Sequence, residues 1–252
     1  WMLLGALVWI VALGPVYLLI VQRPEDLGLQ PDGDAAPAVV GETATATVPD
    51  EPAWTLREAM ATPTLWLLAV PTGSLFVVQA GTNIHQAAYF VDQGLGVTVA
   101  AVGISLNAVF TGVGSIIWGW LVERVPVRIT FALVALVLAI TSALFTTADT
   151  AAEAMAYASL FGICVAGILV VPAVAYANYF GRRSLGAIRG ATEPFVSLGG
   201  ALGAVASGII FDVTGSYHIA FVIFSVVGLA AILPLLMARP PVRAAAPAQG
   251  SP

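Results

Sequence analysis

The sequence predicts an all-α membrane protein of seven transmembrane helices, the last six arranged as a 3+3 inverted repeat. Three observations carry this: little charge, apolar runs of membrane-spanning length, and arginines confined to every second loop. Of the 252 residues 59% are hydrophobic and 9% charged, against about 25% charged in an ordinary soluble domain. Each run is close to the ~20 residues a helix needs to cross ~30 Å of hydrocarbon. In lipid the backbone must satisfy its own hydrogen bonds, so such runs are helices. A β-barrel would show alternating segments of about ten residues, and the sequence contains none.

The first span covers residues 1–22. The chain opens at Trp1 inside that span, with no charged lead-in or cleavage site, so it reads as a piece of a longer protein. Residues 23–63 are a polar linker rich in Ala, Thr, Pro and acids, a composition that stays solvated and flexible. Near its end Thr55-Leu56-Arg57-Glu58 has the form of a capping box. It predicts a short interfacial helix with Trp54 at headgroup level. Six more spans are expected at 64–90, 98–122, 128–148, 152–178, 187–211 and 217–238, forming a bundle over 64–238. The tail, 239–252, is Pro/Ala-rich and expected to be disordered.

Lysine is absent, and the arginines set the orientation. Arg23 and Arg57 flank the linker, and Arg124 and Arg128 fall in the next loop on that side. Arg182, Arg183 and Arg189 are assigned to the one after, and Arg239 and Arg243 to the tail. The opposite loops hold none. The positive-inside rule then places linker and tail in the cytoplasm of a multi-pass plasma-membrane protein. One missed or invented span would scatter the arginines. The net charge of −5 comes mostly from the linker acids, and no basic patch suggests nucleic acid. Cys164 is the single cysteine, so no internal disulfide is possible.

Two spans end alike. Gly119-Trp120-Leu121-Val122-Glu123 and Gly208-Ile209-Ile210-Phe211-Asp212 both read glycine, three apolar residues, acid, on opposite sides of the membrane. That is the pattern of an inverted-topology repeat. Continuing through Arg124 to Arg128, the first of these resembles the cytoplasmic signature of the major facilitator superfamily, with Glu123 where Asp is more usual. Arg23 through Gly33 is similar to the start of that family's central loop. Phe180-Gly181-Arg182-Arg183, Gly199-Gly200-Ala201-Leu202-Gly203 and Asp212-Val213-Thr214-Gly215-Ser216-Tyr217 resemble its tenth loop, eleventh helix and eleventh loop. The resemblance implies that the chain is the C-terminal half of such a carrier, helices six to twelve. Its partners would be a small-molecule solute, the lipid bilayer and the missing N-terminal half, and the full-length protein would be monomeric. Within the family the chain is most similar to bacterial monocarboxylate or oxalate–formate carriers.

Polar residues inside the spans mark candidate sites, because lipid does not reward them. At 100° per residue Thr72, Gln79, Asn83 and Gln86 form one stripe. Asn107 and Thr111 share a face with Gly103, Gly114 and Trp118. Both stripes should face protein or a water-filled cavity. Gln79, Asn83, Asn107, Thr111 and Tyr176 are therefore candidates for a solute pathway, and hydrogen bonding between helices without any solute is the plainer alternative. His85 is either a proton site or a satisfied interfacial histidine, and His218 is expected to be solvated. Glu193 stands four residues after Arg189, which predicts an i,i+4 ion pair; proton coupling is its other role. Gly119, Glu123, Arg124, Arg128 and Arg189 are assigned to gating and state balance. Pro172 should bend its helix. The ridges Gly199/Gly203/Ser207 and Gly200/Ala204/Gly208 suit close helix packing.

Rival functions lack their residues. No His-Glu-x-x-His zinc motif occurs, and Gly103-Ile104-Ser105 has no placed histidine to make a serine protease. A retinal protein needs a Schiff-base lysine. A seven-helix receptor stays open on span count, but the linker and the repeat favour a transporter. No cofactor is expected. With Arg189 assigned to a loop, no basic residue other than histidine lies within a span. An anion clamp would then come from the missing half, His85 or neutral donors. The reading is a secondary transporter of a small solute, binding near the midplane with alternating access.

Overall fold

The computed structural model describes residues 2–19 and 54–242. The predicted linker up to residue 53 and the tail beyond 242, with Arg23 and Arg243, lie outside the described residues. The chain divides into two units, 1–48 and 49–252. The first contains α1 (Met2–Leu19), 18 residues without a charge, where the first span was predicted. The second contains α2 (Leu56–Met60), α3 (Pro63–Asp92), α4 (Val97–Val122), α5 (Val127–Phe145), α6 (Ala151–Phe180), α7 (Leu185–Thr214) and α8 (His218–Met237). No strand occurs among the described residues. Among the described residues six helices, α3 to α8, are long and apolar enough to cross a bilayer.

Local chemistry sets the helix ends. The Thr55–Glu58 capping box opens α2 as predicted, each partner's side chain bonding the other's backbone N–H. Thr150 and Glu153 do the same for α6. Thr62 caps α3, with Pro63 in the first turn where its missing N–H costs nothing. Gly215 ends α7 at φ +68°, a left-handed conformation that only glycine adopts without strain.

The helices alternate in direction. At one end the Thr64 hydroxyl donates to the Arg239 carbonyl at 2.9 Å, and Tyr179 donates to the Ala238 carbonyl at 3.1 Å. The start of α3 and the ends of α6 and α8 therefore meet there. At the other end Tyr89 donates to the Phe145 carbonyl at 2.6 Å, joining the ends of α3 and α5. Arg57, Arg124, Arg128, Arg182, Arg183, Arg189 and Arg239 all collect toward the first end, and Asp92, Asp149, Glu153 and Asp212 at the second. Trp54 lies just before α2. It is 6% exposed, edge-on to Phe180 at 5.9 Å, because the chain entering α2 folds against the end of α6.

Packing follows the small residues. A Cβ on Gly199 or Gly203 of α7 would run into the backbone carbonyls of Gly73 and Val77 on α3. The predicted ridge thus brings two backbones together. On α4 and α6, a Cβ on Gly114 would lie 2.8 Å from the Ile163 Cα, and one on Gly162 would meet the Asn107 carbonyl. So α3 packs along α7 and α4 along α6, while α5 packs on α8, α5 also on α6 and α8 also on α3. Phe90, Phe145, Phe161, Phe221 and Phe224 fill the core toward the acidic end, with neighbouring rings 5.5 to 6.5 Å apart. The most apolar stretches of α4 and α7 are only 22% and 17% buried, against 56% in α3, α5 and α6. Both helices leave a long face bare.

Candidate functional site

Two polar groupings form within the six-helix bundle. The first joins α3 to α4. Asn107 donates from Nδ2 to Asn83 Oδ1 at 2.9 Å. Asn107 is buried and Asn83 exposed, so the pair runs from the protein interior to an open face. The Thr111 hydroxyl bonds the Asn107 carbonyl at 2.8 Å and lies 3.2 Å from the Gly162 carbonyl, tying the pair to α6. Gly103, Gly114 and Trp118, predicted to share this face, are also buried, and Trp118 donates to the Ile163 carbonyl at 2.8 Å. The α4 stripe therefore packs on α6. The α3 stripe is mixed: Thr72 and Gln86 are buried, Gln79 half-buried and Asn83 exposed.

The second grouping is a cavity of about 210 Å³ between α3, α6 and α7. Thr72 and Phe76 come from α3, Pro172 and Tyr176 from α6, and Arg189, Thr192 and Glu193 from α7. Proline explains part of the opening. Pro172 lacks the N–H that would bond the Ile168 carbonyl, and Pro194 does the same to Gly190, so both helices lose a rung here. Tyr176 is 3% exposed, yet its hydroxyl has no hydrogen-bond partner. The Thr72 and Thr192 hydroxyls are nearby and donate to the Leu68 and Arg189 carbonyls, at 2.6 and 3.0 Å, so toward Tyr176 each can only accept. Gln79, Asn83 and Asn107 are not among the walls of this cavity.

Two expectations need correction. Arg189 is not a loop residue: it lies in α7, the fifth residue of that helix, and walls the cavity. A basic group does therefore stand on a membrane helix. Nor do Arg189 and Glu193 form the predicted ion pair; Glu123 and Arg124 do form one. Thr192 escaped the sequence reading, although it lies between the two charged residues.

His85 belongs to neither grouping. Its Nε2 lies 3.1 Å from the Ala204 carbonyl and its Nδ1 3.2 Å from the Tyr217 hydroxyl. A carbonyl only accepts, so neutral His85 carries its proton on Nε2 and accepts from Tyr217 at Nδ1. Burial first, then the carboxylates of Asp92 and Asp212, holds the Tyr217 phenol above its ordinary pKa, which keeps the donating proton in place. The ring fastens α3 to α7 and to the start of α8. His218, at the start of α8, is exposed as expected.

The signature residues lie at the arginine end. Arg124 donates to the Trp120 carbonyl at 3.0 Å and stacks over the Trp120 ring at 4.4 Å, closing the last turn of α4. Glu123 Oε2 is 3.8 Å from Arg124 Nη1, with both side chains exposed, so the pair adds little stability. Gly119 is half-buried with open space where a Cβ would stand, and Arg128 lies in the first turn of α5.

Comparison with known proteins adds a match to the Major Facilitator Superfamily over residues 72–252, more than half of the chain. No curated protein matches it. Members of this family are secondary transporters of small solutes and not enzymes, which agrees with a multi-pass helical bundle holding polar groups between its helices. The chain belongs to the major facilitator superfamily.

Proposed function

We propose that this chain is the C-terminal half, with one preceding span, of a carrier that moves a small organic anion such as a monocarboxylate by alternating access. The observation that carries the substrate reading is Arg189 beside the unpartnered Tyr176 hydroxyl in one cavity. A carboxylate there would accept from both, a charge-assisted arrangement. Drug-sized ligands occupy roughly 300–1,000 Å³, so a 210 Å³ cavity suits a small solute. Glu193 in the same wall favours a second reading, a zwitterion that offers an ammonium as well as a carboxylate.

The bare faces of α4 and α7 support a partner bundle lying against them, the N-terminal half of a full-length monomer. Exchanging α3, α4 and α5 with α6, α7 and α8 turns the α3–α7 packing into α6–α4 and leaves α5–α8 unchanged, which supports the 3+3 repeat. In this reading α1 is the seventh span, and the arginine end faces the cytoplasm of a bacterial inner membrane. Gln79, Asn83, Asn107 and Thr111 extend the solute pathway, and Glu193 and His85 are candidates for proton coupling. Gly119, Glu123, Arg124, Arg128 and Arg189 bias the balance between inward- and outward-open states.

The test is uptake into proteoliposomes by the full-length carrier, screened over monocarboxylates, dicarboxylates and amino acids. Arg189→Gln should weaken binding of the transported solute by roughly tenfold or more, about 1.4 kcal/mol, with Arg189→Lys retaining part of it. Tyr176→Phe should weaken it less. Unchanged affinity in Arg189→Gln would sink the substrate reading.

A further inference from the structure

A second cavity, of about 650 Å³, opens at the arginine end between the start of α5 and the ends of α6 and α8. Arg128 and Arg239 line it with Asn178 and Tyr179, and among the described residues no acidic side chain is in its walls. Neither guanidinium has an ion-pair partner among the described residues. Both residues have backbones held in place. Arg128 is in the first turn of α5, and the Arg239 backbone is anchored by the Thr64 hydroxyl. Pro126 caps α5 without a side-chain hydrogen bond. The N–H groups of Val127 and Arg128 therefore add a partial positive charge at the same spot.

We infer that this cavity binds the phosphodiester of an anionic lipid headgroup. Two arginines and a helix start match a phosphate in charge and in hydrogen-bond donors. Basic pockets between helices at a membrane surface suit such headgroups. What favours lipid over free phosphate is the surface next to the cavity. α5 and α8 pack together and leave Ile129, Leu133, Leu233 and Leu236 exposed, within two turns of the arginines, where acyl chains can lie. The site is separate from the Tyr176 cavity and does not depend on which solute is carried.

Native mass spectrometry of the purified protein tests this, with phosphatidylglycerol and phosphatidylcholine offered at equal concentration. The wild type should retain phosphatidylglycerol preferentially. Arg128→Gln and Arg239→Gln should each cut that preference roughly fivefold, the weight of one basic residue at an anionic surface. Arg183→Gln, an exposed arginine at the same end, should leave it within twofold. Lysine replacements at 128 and 239, which keep the charge, should retain most of it and serve if a glutamine variant fails to fold. Equal loss in Arg183→Gln, or none in the two cavity variants, overturns the site. Displacement of the lipid by millimolar inorganic phosphate, with the preference still dependent on Arg128 and Arg239, overturns the lipid as occupant in favour of free phosphate.

Discussion

Gly112 and Gly114 stand two residues apart on α4, and replacing each by alanine should have opposite effects. Nothing lies within 4 Å of a Cβ on Gly112. On Gly114 the added carbon meets the Ile163 Cα at 2.8 Å, the Ala166 Cβ at 2.9 Å and the Ile163 carbonyl oxygen at 3.0 Å. Carbon atoms prefer ~3.5 Å or more, so α4 and α6 must separate by roughly 0.7 Å. The Thr111 contact to the Gly162 carbonyl, 3.2 Å in the native protein, then stretches past hydrogen-bonding distance. Overpacking costs about 1–3 kcal/mol and a weakened interhelical bond about 0.6, offset by up to ~1 kcal/mol of helix propensity. Gly114→Ala should lose about 1–2 kcal/mol net, while Gly112→Ala should be neutral or gain up to ~1. Reversible unfolding in mixed micelles, followed by helicity, measures both. Variants within ~0.5 kcal/mol of each other would refute the claim that backbone contact between α4 and α6 sets this interface.

The amide pair should separate the two roles considered for it. Asn107→Leu, at a buried position, should destabilise the fold by about 0.6–2 kcal/mol, whereas Asn83→Leu, at an exposed one, should weaken solute binding with stability nearly unchanged; the reverse result would remove Asn83 from the pathway. Glu123→Ala in the full carrier should slow transport and leave equilibrium affinity within a few-fold, because the side chain is exposed at the end of α4; loss of binding with an intact transport cycle would count against a role in state balance. Single cysteines at Asp149 and Arg183 should label from opposite sides of the membrane, since they lie at opposite ends of the bundle; same-side labelling would end the topology.

The six long helices, their ends and the segregation of the described arginines were legible because each depends on local composition. A run of apolar residues must become a helix in lipid whatever its neighbours. Thr55 and Glu58 form a capping box within a single turn. The ridge of Gly199 and Gly203 announced close packing, since small residues at i and i+4 leave one face of a helix flat. Family membership was legible for the same reason, through short motifs at helix ends.

Which helix receives each face was not legible, and the candidate site turned on that. The Asn107 stripe could have lined a cavity or packed on a neighbour. Only the approach of α6, close enough for Gly162 to meet the Asn107 backbone, buried Asn107 against a neighbour while leaving Thr111 half-buried and Asn83 exposed. Arg189 and Glu193 have the spacing of an ion pair, but cavity walls brought in from α3 and α6 gave both another setting. Arg128, Asn178 and Arg239 are far apart in sequence and meet only because α5, α6 and α8 bring those ends together. Helix formation is decided within a few residues of chain, so the sequence alone determined it. The convergence of side chains depends on the rotation and separation of whole helices, which only the packed bundle decides.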